Sequence, residues 1–136
     1  MKPGTIVIGL AVILITSCAP GANTALKEHM LAYNWKITYS KHNDVEITPT
    51  FSAYTFNFEN NDVVYAIRPD STFTGSWTRS NASEDNPKVL LNFGSHYQLS
   101  ILNYDWQQKE RTDNVIRFVD EMSANATEAV TFERIP

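Results

Sequence analysis

Residues 52–68 (SAYTFNFENNDVVYAIR) decide the fold of this chain. In the first half of the segment, aromatic residues alternate with polar ones: Tyr54, Phe56 and Phe58. In the second half, one face is defined by Val63, Tyr65 and Ile67. A period of two predicts half-buried strands, and Asn60-Asn61 between the two halves is a turn signal. The segment therefore predicts a β-hairpin.

The same pattern of short alternating segments extends in both directions from this hairpin. Further strands are predicted at residues 34–40, 72–78, 88–93, 106–111, 115–120 and 129–135. The i, i+3 spacing of Leu99 and Leu102 predicts a short helical connection within residues 96–105, and residues 80–87 and 121–128 read as polar loops. Near the start, Thr24 is a candidate N-cap for a short helix over residues 25–31.

About eight short strands joined by turns predict an all-β protein. Helices do not alternate with the strands, so a parallel sheet is not expected. We expect an antiparallel up-and-down barrel of about eight strands with a short N-terminal helix, because closure removes the sheet edges. An open, strongly curled sheet is the alternative that the pattern leaves open.

The N-terminus carries an apolar run of 11 residues, 5–15, behind Lys2. A membrane-spanning helix needs about 20 residues, so the run is typical of a secretory signal. The next residues, Ile15-Thr16-Ser17-Cys18, resemble the lipobox of bacterial lipoproteins. That resemblance implies cleavage before Cys18 and acylation of its sulfur and new amine, with palmitate-type chains. The alternatives are an ordinary signal peptide with a chance cysteine, or a retained anchor.

These features divide the chain into three parts. Residues 1–17 are the expected lipoprotein signal peptide, 18–24 the lipidated cysteine and tether, and 25–136 the barrel domain. Ala19, rather than the aspartate that retains proteobacterial lipoproteins at the inner membrane, favours the outer membrane.

Composition excludes several classes of protein. A chain of 136 residues suits one domain and is too short for a (β/α)₈ barrel. The formal net charge of −4 disfavours a nucleic-acid partner. The single cysteine excludes an internal disulfide.

The order of motifs resembles the small lipocalin-like lipoproteins of Bacteroidetes-type genomes. The motifs are Trp35-Lys36-Ile37-Thr38, Tyr54-Thr55-Phe56-Asn57-Phe58, Gly75-Ser76-Trp77, Val89-Leu90-Leu91-Asn92-Phe93, Leu102-Asn103-Tyr104-Asp105-Trp106 and Phe132-Glu133-Arg134-Ile135. The resemblance implies a lipocalin-like barrel. It implies no activity, because these lipoproteins share no established one. Lipocalins also have Gly-x-Trp on the first strand and an arginine that packs over that tryptophan. Here Trp35 follows Tyr33 in place of the glycine, and Arg134 is the candidate arginine.

No group of residues predicts catalysis or a metal site. The three histidines, His29, His42 and His96, lack the close spacing of a zinc site, and surface or capping roles are expected for them. The chain has no Gly-x-Ser-x-Gly or phosphate-binding glycine loop. We therefore expect a protein without enzymatic activity, cofactor or metal, and a hydrolase is the trailing hypothesis.

Aromatic residues on adjacent predicted strands are the remaining candidates for a site. They are Tyr54, Phe56, Phe58, Phe73 and Trp77. They either fill the core or line a cavity for a small apolar ligand. The corresponding functions are an envelope-anchored, non-catalytic protein that binds a small apolar ligand or an envelope protein, and a structural or assembly lipoprotein with a solid barrel.

Overall fold

The computed structural model describes residues 22–79 and 87–136. The expected signal peptide, Cys18, the first part of the tether and residues 80–86 of the predicted loop lie outside the described residues. The described elements are helix α1 (Ala22–Ala32), strands β1 (Asn34–His42), β2 (Val45–Glu46), β3 (Thr55–Phe58), β4 (Val63–Arg68), β5 (Ser71–Arg79), β6 (Lys88–Asn92), β7 (Asp105–Arg111), β8 (Val115–Val119) and β9 (Ala129–Arg134), and two 3-10 helices (Thr48–Phe51 and Leu99–Leu102).

The strands form a closed antiparallel barrel. Each strand from β3 to β8 pairs with the strand that follows it in the chain, so that β9 ends the series. The sheet closes between β1 and β9, from Trp35 opposite Arg134 to Lys41 opposite Ala129, while Trp35 also pairs with Phe56 of β3. The predicted eight-stranded antiparallel barrel with a short N-terminal helix is thus confirmed, and the sheet is closed rather than open.

Side chains fill the inside of this barrel. The largest buried residues come from strands on every side of it: Trp35, Phe56, Trp77, Trp106, Phe118 and Phe132. Because side chains alternate across a strand, Val64 and Ala66 point inward, and the face of Val63, Tyr65 and Ile67 points outward. The inward residues form a single apolar cluster.

Apolar side chains of α1 and of the two 3-10 helices pack onto the barrel core. At one end, Leu26 and Met30 of α1 are buried at i, i+4 spacing, and the indole N–H of Trp35 donates to the carbonyl oxygen of Met30 at 3.0 Å. The 3-10 helices contribute Phe51, Leu99 and Leu102 to the same core. A short helix is marginal alone, so packing against the barrel holds α1.

Two sequence predictions are corrected, and one strand was not expected. The helix begins at Ala22, so Thr24 lies within its first turn and is not the N-cap, because a residue type that favours an N-cap does not prevent the residues before it from being helical. The alternation of Trp35, Ile37 and Tyr39 with polar residues predicts one buried face, but Tyr39 is 37% exposed, because a bulge between Ile37 and Tyr39 shifts the alternation and turns Ser40 inward. The extra strand β2, paired with the end of β1, was not predicted.

None of the helices in residues 22–79 and 87–136 has the length and hydrophobicity of a membrane-spanning segment.

Candidate functional site

The five predicted ligand-binding aromatics lie in or against the core. Tyr54, Phe56, Phe58 and Trp77 are at most 2% exposed, and Phe73 packs against them partly buried. Their rings pack on one another, as in the edge-to-face pair of Phe58 and Trp77 at 5.2 Å. The tyrosine hydroxyl of Tyr54 donates to Gln98 Oε1 at 2.9 Å. The barrel therefore places all five side chains in contact with protein atoms.

Arg134, the candidate arginine of the predicted lipocalin-like pattern, contacts a tyrosine ring. The guanidinium carbon of Arg134 lies 4.1 Å from the centre of the Tyr33 ring, a cation–π contact. Tyr33 in turn packs edge-on against Trp35 at 6.1 Å. The residue that replaces the expected glycine thus lies between the arginine and the tryptophan.

The histidines have local structural partners. His96 Nδ1 accepts from the backbone N–H of Leu99 at 3.1 Å, at the start of the second 3-10 helix. His29 Nε2 lies 2.9 Å from the carbonyl oxygen of Asp113. No cluster of three or more His, Cys, Asp or Glu side chains suited to a metal ion occurs in the described part of the chain.

A cleft of about 520 Å³ lies on the outer wall of the barrel, across β1, β9, β8 and β7. Its polar lining includes Thr38, Tyr39, Lys41, Lys109, Arg117 and Thr131. Its small residues include Ser123, Ala124, Ala126 and Ala129. Volumes of about 300–1,000 Å³ are typical of small-molecule sites.

Two β-bulges form opposite sides of this cleft. The first, between Ile37 and Tyr39, turns both Thr38 and Tyr39 outward. The second lies between Gln108 and Glu110, and its extra residue, Lys109, is exposed on the outer wall. Between them, the short side chains of Ala129 and Thr131 form part of the floor. Bulges re-aim side chains and are frequent beside functional sites.

The cleft is rich in positive charge. Its lining holds Lys41, Lys109 and Arg117 and no carboxylate, in a chain whose formal net charge is −4. Two of these cations have partners at the rim: Lys41 Nζ lies 3.4 Å from Asp44, and Arg117 Nη1 lies 2.6 Å from Glu110 Oε1. Among the described residues, Lys109 has no ion-pair partner.

A buried carboxylate fixes the loop that forms one end of the cleft. Glu128 is 2% exposed. Its Oε2 accepts from the backbone N–H of Asn43 at 2.8 Å, and its Oε1 lies 2.7 Å from His42 Nδ1. Since a carboxylate can only accept, Nδ1 carries the proton in this contact. Lys41 Nζ also donates to the carbonyl oxygen of Ala126 at 3.0 Å, so the turn after β1 is joined to the loop at several points.

Glu128 and the neighbouring Asp120 also act on the phenol of Tyr104. Burial raises the pKa of Tyr104 above 10.0, and the negative charges of Glu128 and Asp120 raise it further. Tyr104 therefore stays uncharged at neutral pH and packs edge-on against Trp106 at 5.4 Å.

Glu128→Gln is expected to loosen the loop. The amide keeps the shape but offers one acceptor oxygen in place of two, so the hydrogen bonds that Glu128 accepts from the Asn43 N–H, the His42 ring and the Thr127 hydroxyl can no longer all form, at a cost of about 1–3 kcal/mol. Hydrogen exchange measured by NMR should show faster exchange at Asn43 and Asp44, whose N–H groups are bonded to Glu128 and to the carbonyl oxygen of Thr127.

Glu121→Gln is the matched control for this change, because Glu121 is exposed in the same loop. It should leave exchange at Asn43 and Asp44 unchanged. Equal exchange rates in both variants and the unmodified protein would contradict a role for Glu128 in fixing the loop.

Sequence reasoning did not find the cleft. Its residues come from four strands and from the loop between β8 and β9, and no motif joins them. The one available signal was the run Gln107-Gln108-Lys109-Glu110, which breaks the alternation after Trp106 and indicates an irregular strand.

Comparison of the chain with protein-family models, curated proteins and solved structures finds no match.

Proposed function

We propose that this protein is a lipid-anchored lipoprotein of the bacterial envelope, at the outer membrane, whose barrel is a non-catalytic binding domain. The observation that carries the anchor is the placement of the chain's single cysteine, Cys18, directly after an 11-residue apolar run in an Ile-Thr-Ser-Cys sequence. With two or three acyl chains, the buried CH₂ groups hold the protein stably at a membrane, at about 0.8 kcal/mol each.

The short tether supports an orientation for the domain. Helix α1 begins at Ala22, four residues after Cys18, and four residues span at most about 14 Å. The end of the barrel closed by α1 therefore faces the lipid. The loop of residues 120–128 joins β8 to β9 at the opposite end of the barrel. This loop, and the end of the cleft that it lines, therefore face away from the membrane.

The filled interior supports binding at the surface rather than carriage of an apolar ligand inside the barrel. Phe56, Trp77 and Phe132 occupy the space where such a ligand would lie, and the cleft on the outer wall offers about 520 Å³. The domain thus acts as a solid barrel that presents its outer wall to a small molecule or an envelope protein. Co-purification of an apolar ligand with the native protein would instead favour the carrier function.

Cys18→Ala tests the anchor. The variant should fail to incorporate an alkyne-tagged palmitate supplied to the cells and should leave the membrane fraction, because alanine has no sulfur to accept the lipid. Labelling and fractionation are measured together in the expressing bacterium.

Ser17→Ala is the matched control, since alanine keeps a small residue before the cysteine and should preserve both labelling and membrane association. Unchanged membrane association of Cys18→Ala would refute the proposed lipid anchor.

A further inference from the structure

We propose that the cleft on the outer wall binds a carboxylate-bearing, hydroxyl-rich small molecule, for which a uronic acid is the simplest probe. This inference rests on the proposed function as a surface-binding domain, and it is independent of the lipid anchor. The cleft combines a ligand-sized volume, about 520 Å³, with three cations and no lining carboxylate.

The cations are arranged around the cleft rather than along one edge. Tyr39 and Arg117 both lie opposite Thr131 in the strand register, from β1 and β8 respectively. Lys41 and Val119 both lie opposite Ala129. Two cations thus flank the small residues of β9, and the bulge in β7 adds Lys109 to the lining on the far side of β8.

Arg117 already binds a carboxylate in this structure. Its Nη1 lies 2.6 Å from Glu110, and both side chains are about half exposed. An exposed ion pair contributes about 0–1 kcal/mol, so a ligand carboxylate can replace Glu110 at low cost. The planar guanidinium favours a carboxylate because its N–H groups match the two oxygens.

Unused hydrogen-bonding groups beside the cations indicate the rest of the ligand. The hydroxyls of Thr38, Tyr39 and Thr131 have no hydrogen-bond partner among the described residues, although Thr131 is only 9% exposed. Each hydroxyl can donate and accept, which suits a hydroxylated ligand body. The ring of Tyr39 is 37% exposed beside these groups and supplies an apolar face against which a sugar ring can pack.

The test compares D-glucuronate with D-glucose, which differ in carrying a carboxylate or a CH₂OH group at the same carbon. Each is titrated to 50 mM into the protein as purified from the expressing bacterium, in zwitterionic detergent, and amide shifts are followed by NMR. Glucuronate should shift the amides of Tyr39, Arg117 and Thr131, whereas glucose should bind at least tenfold more weakly. Lys109→Gln should weaken glucuronate binding by about tenfold, in line with the loss of one charged hydrogen bond.

Lys36→Gln is the matched control, because Lys36 is exposed on the outer wall of β1 but does not line the cleft. It should leave glucuronate binding unchanged. Absence of glucuronate shifts, equal shifts with glucose, or equal losses in the two lysine variants would overturn the proposal. Since the Cys18→Ala experiment measures lipidation and membrane association but no ligand binding, a negative result here leaves the anchor proposal unaffected, and loss of the anchor leaves this site unaffected.

Discussion

Phe132→Ala should lower the free energy of unfolding by about 3–5 kcal/mol, the usual range for truncating a buried phenylalanine. Phe132 is 1% exposed. Its ring lies 5.5 Å from that of Phe56 and 5.8 Å from that of Phe58, and 6.1 Å from that of Phe118. Alanine would leave a cavity among rings that belong to β3 and β8, on both sides of the point where the barrel closes.

The measurement is urea unfolding followed by tryptophan fluorescence, with Leu90→Ala as the control. Leu90 is 45% exposed on β6, so its truncation should change the free energy of unfolding by less than about 1 kcal/mol. Similar losses in the two variants would contradict a barrel whose stability depends on its filled interior.

The barrel was predictable because its inward and outward positions alternate regularly in most strands. Trp77 of β5 and Phe132 of β9 are buried where a period of two predicted buried residues. The short connection at Leu99–Leu102 was also predicted and forms a 3-10 helix. Such local patterns suffice for a meander, because each strand pairs with its neighbour along the chain.

Bulges were the part of the fold that the pattern could not predict. An extra residue at Thr38 moves Tyr39 to the outside, and another at Lys109 interrupts β7. A bulge depends on the register between two strands, and register is a property of the paired strands rather than of one segment. The helix start at Ala22, three residues before the predicted one, escaped prediction for a simpler reason, since a local capping signal fixes the end of a helix only loosely.

The candidate cleft depends on the same two bulges and therefore could not be predicted from the sequence. Lys109 and Thr38 are far apart in the chain, and only closure between β1 and β9 brings their strands onto one wall. The aromatics singled out from the sequence mark the interior, whereas the unpaired polar groups lie outside. Aromatic periodicity locates a core, and it carries no information about which outward side chains share a concave surface.

Gly75→Val should destabilise the barrel by about 3 kcal/mol, near the upper end of the usual cost of overpacking a filled core. A Cβ atom at Gly75 would lie 2.6 Å from Phe93 Cδ1 and 2.8 Å from the backbone oxygen of Asn92. The phenylalanine ring can move, but the carbonyl belongs to the end of β6, which is paired with β5 through Ser76 and Asn92. Because Gly75 has no Cβ atom, β6 can approach β5 closely at this point. Close approach of another backbone is a common reason for a glycine within a strand.

Ser76→Val is the matched control, because Ser76 is the next residue in β5 and is exposed. It should leave the midpoint of urea unfolding almost unchanged, since valine suits an exposed strand position. In a double-mutant cycle, Phe93→Leu should recover only part of the loss in Gly75→Val, because the clash with the Asn92 oxygen remains. Full recovery of the lost stability would mean that the Phe93 ring, and not the Asn92 oxygen, is the reason for glycine at position 75. If Gly75→Val lost no stability at all, β5 and β6 would not approach each other closely at this position.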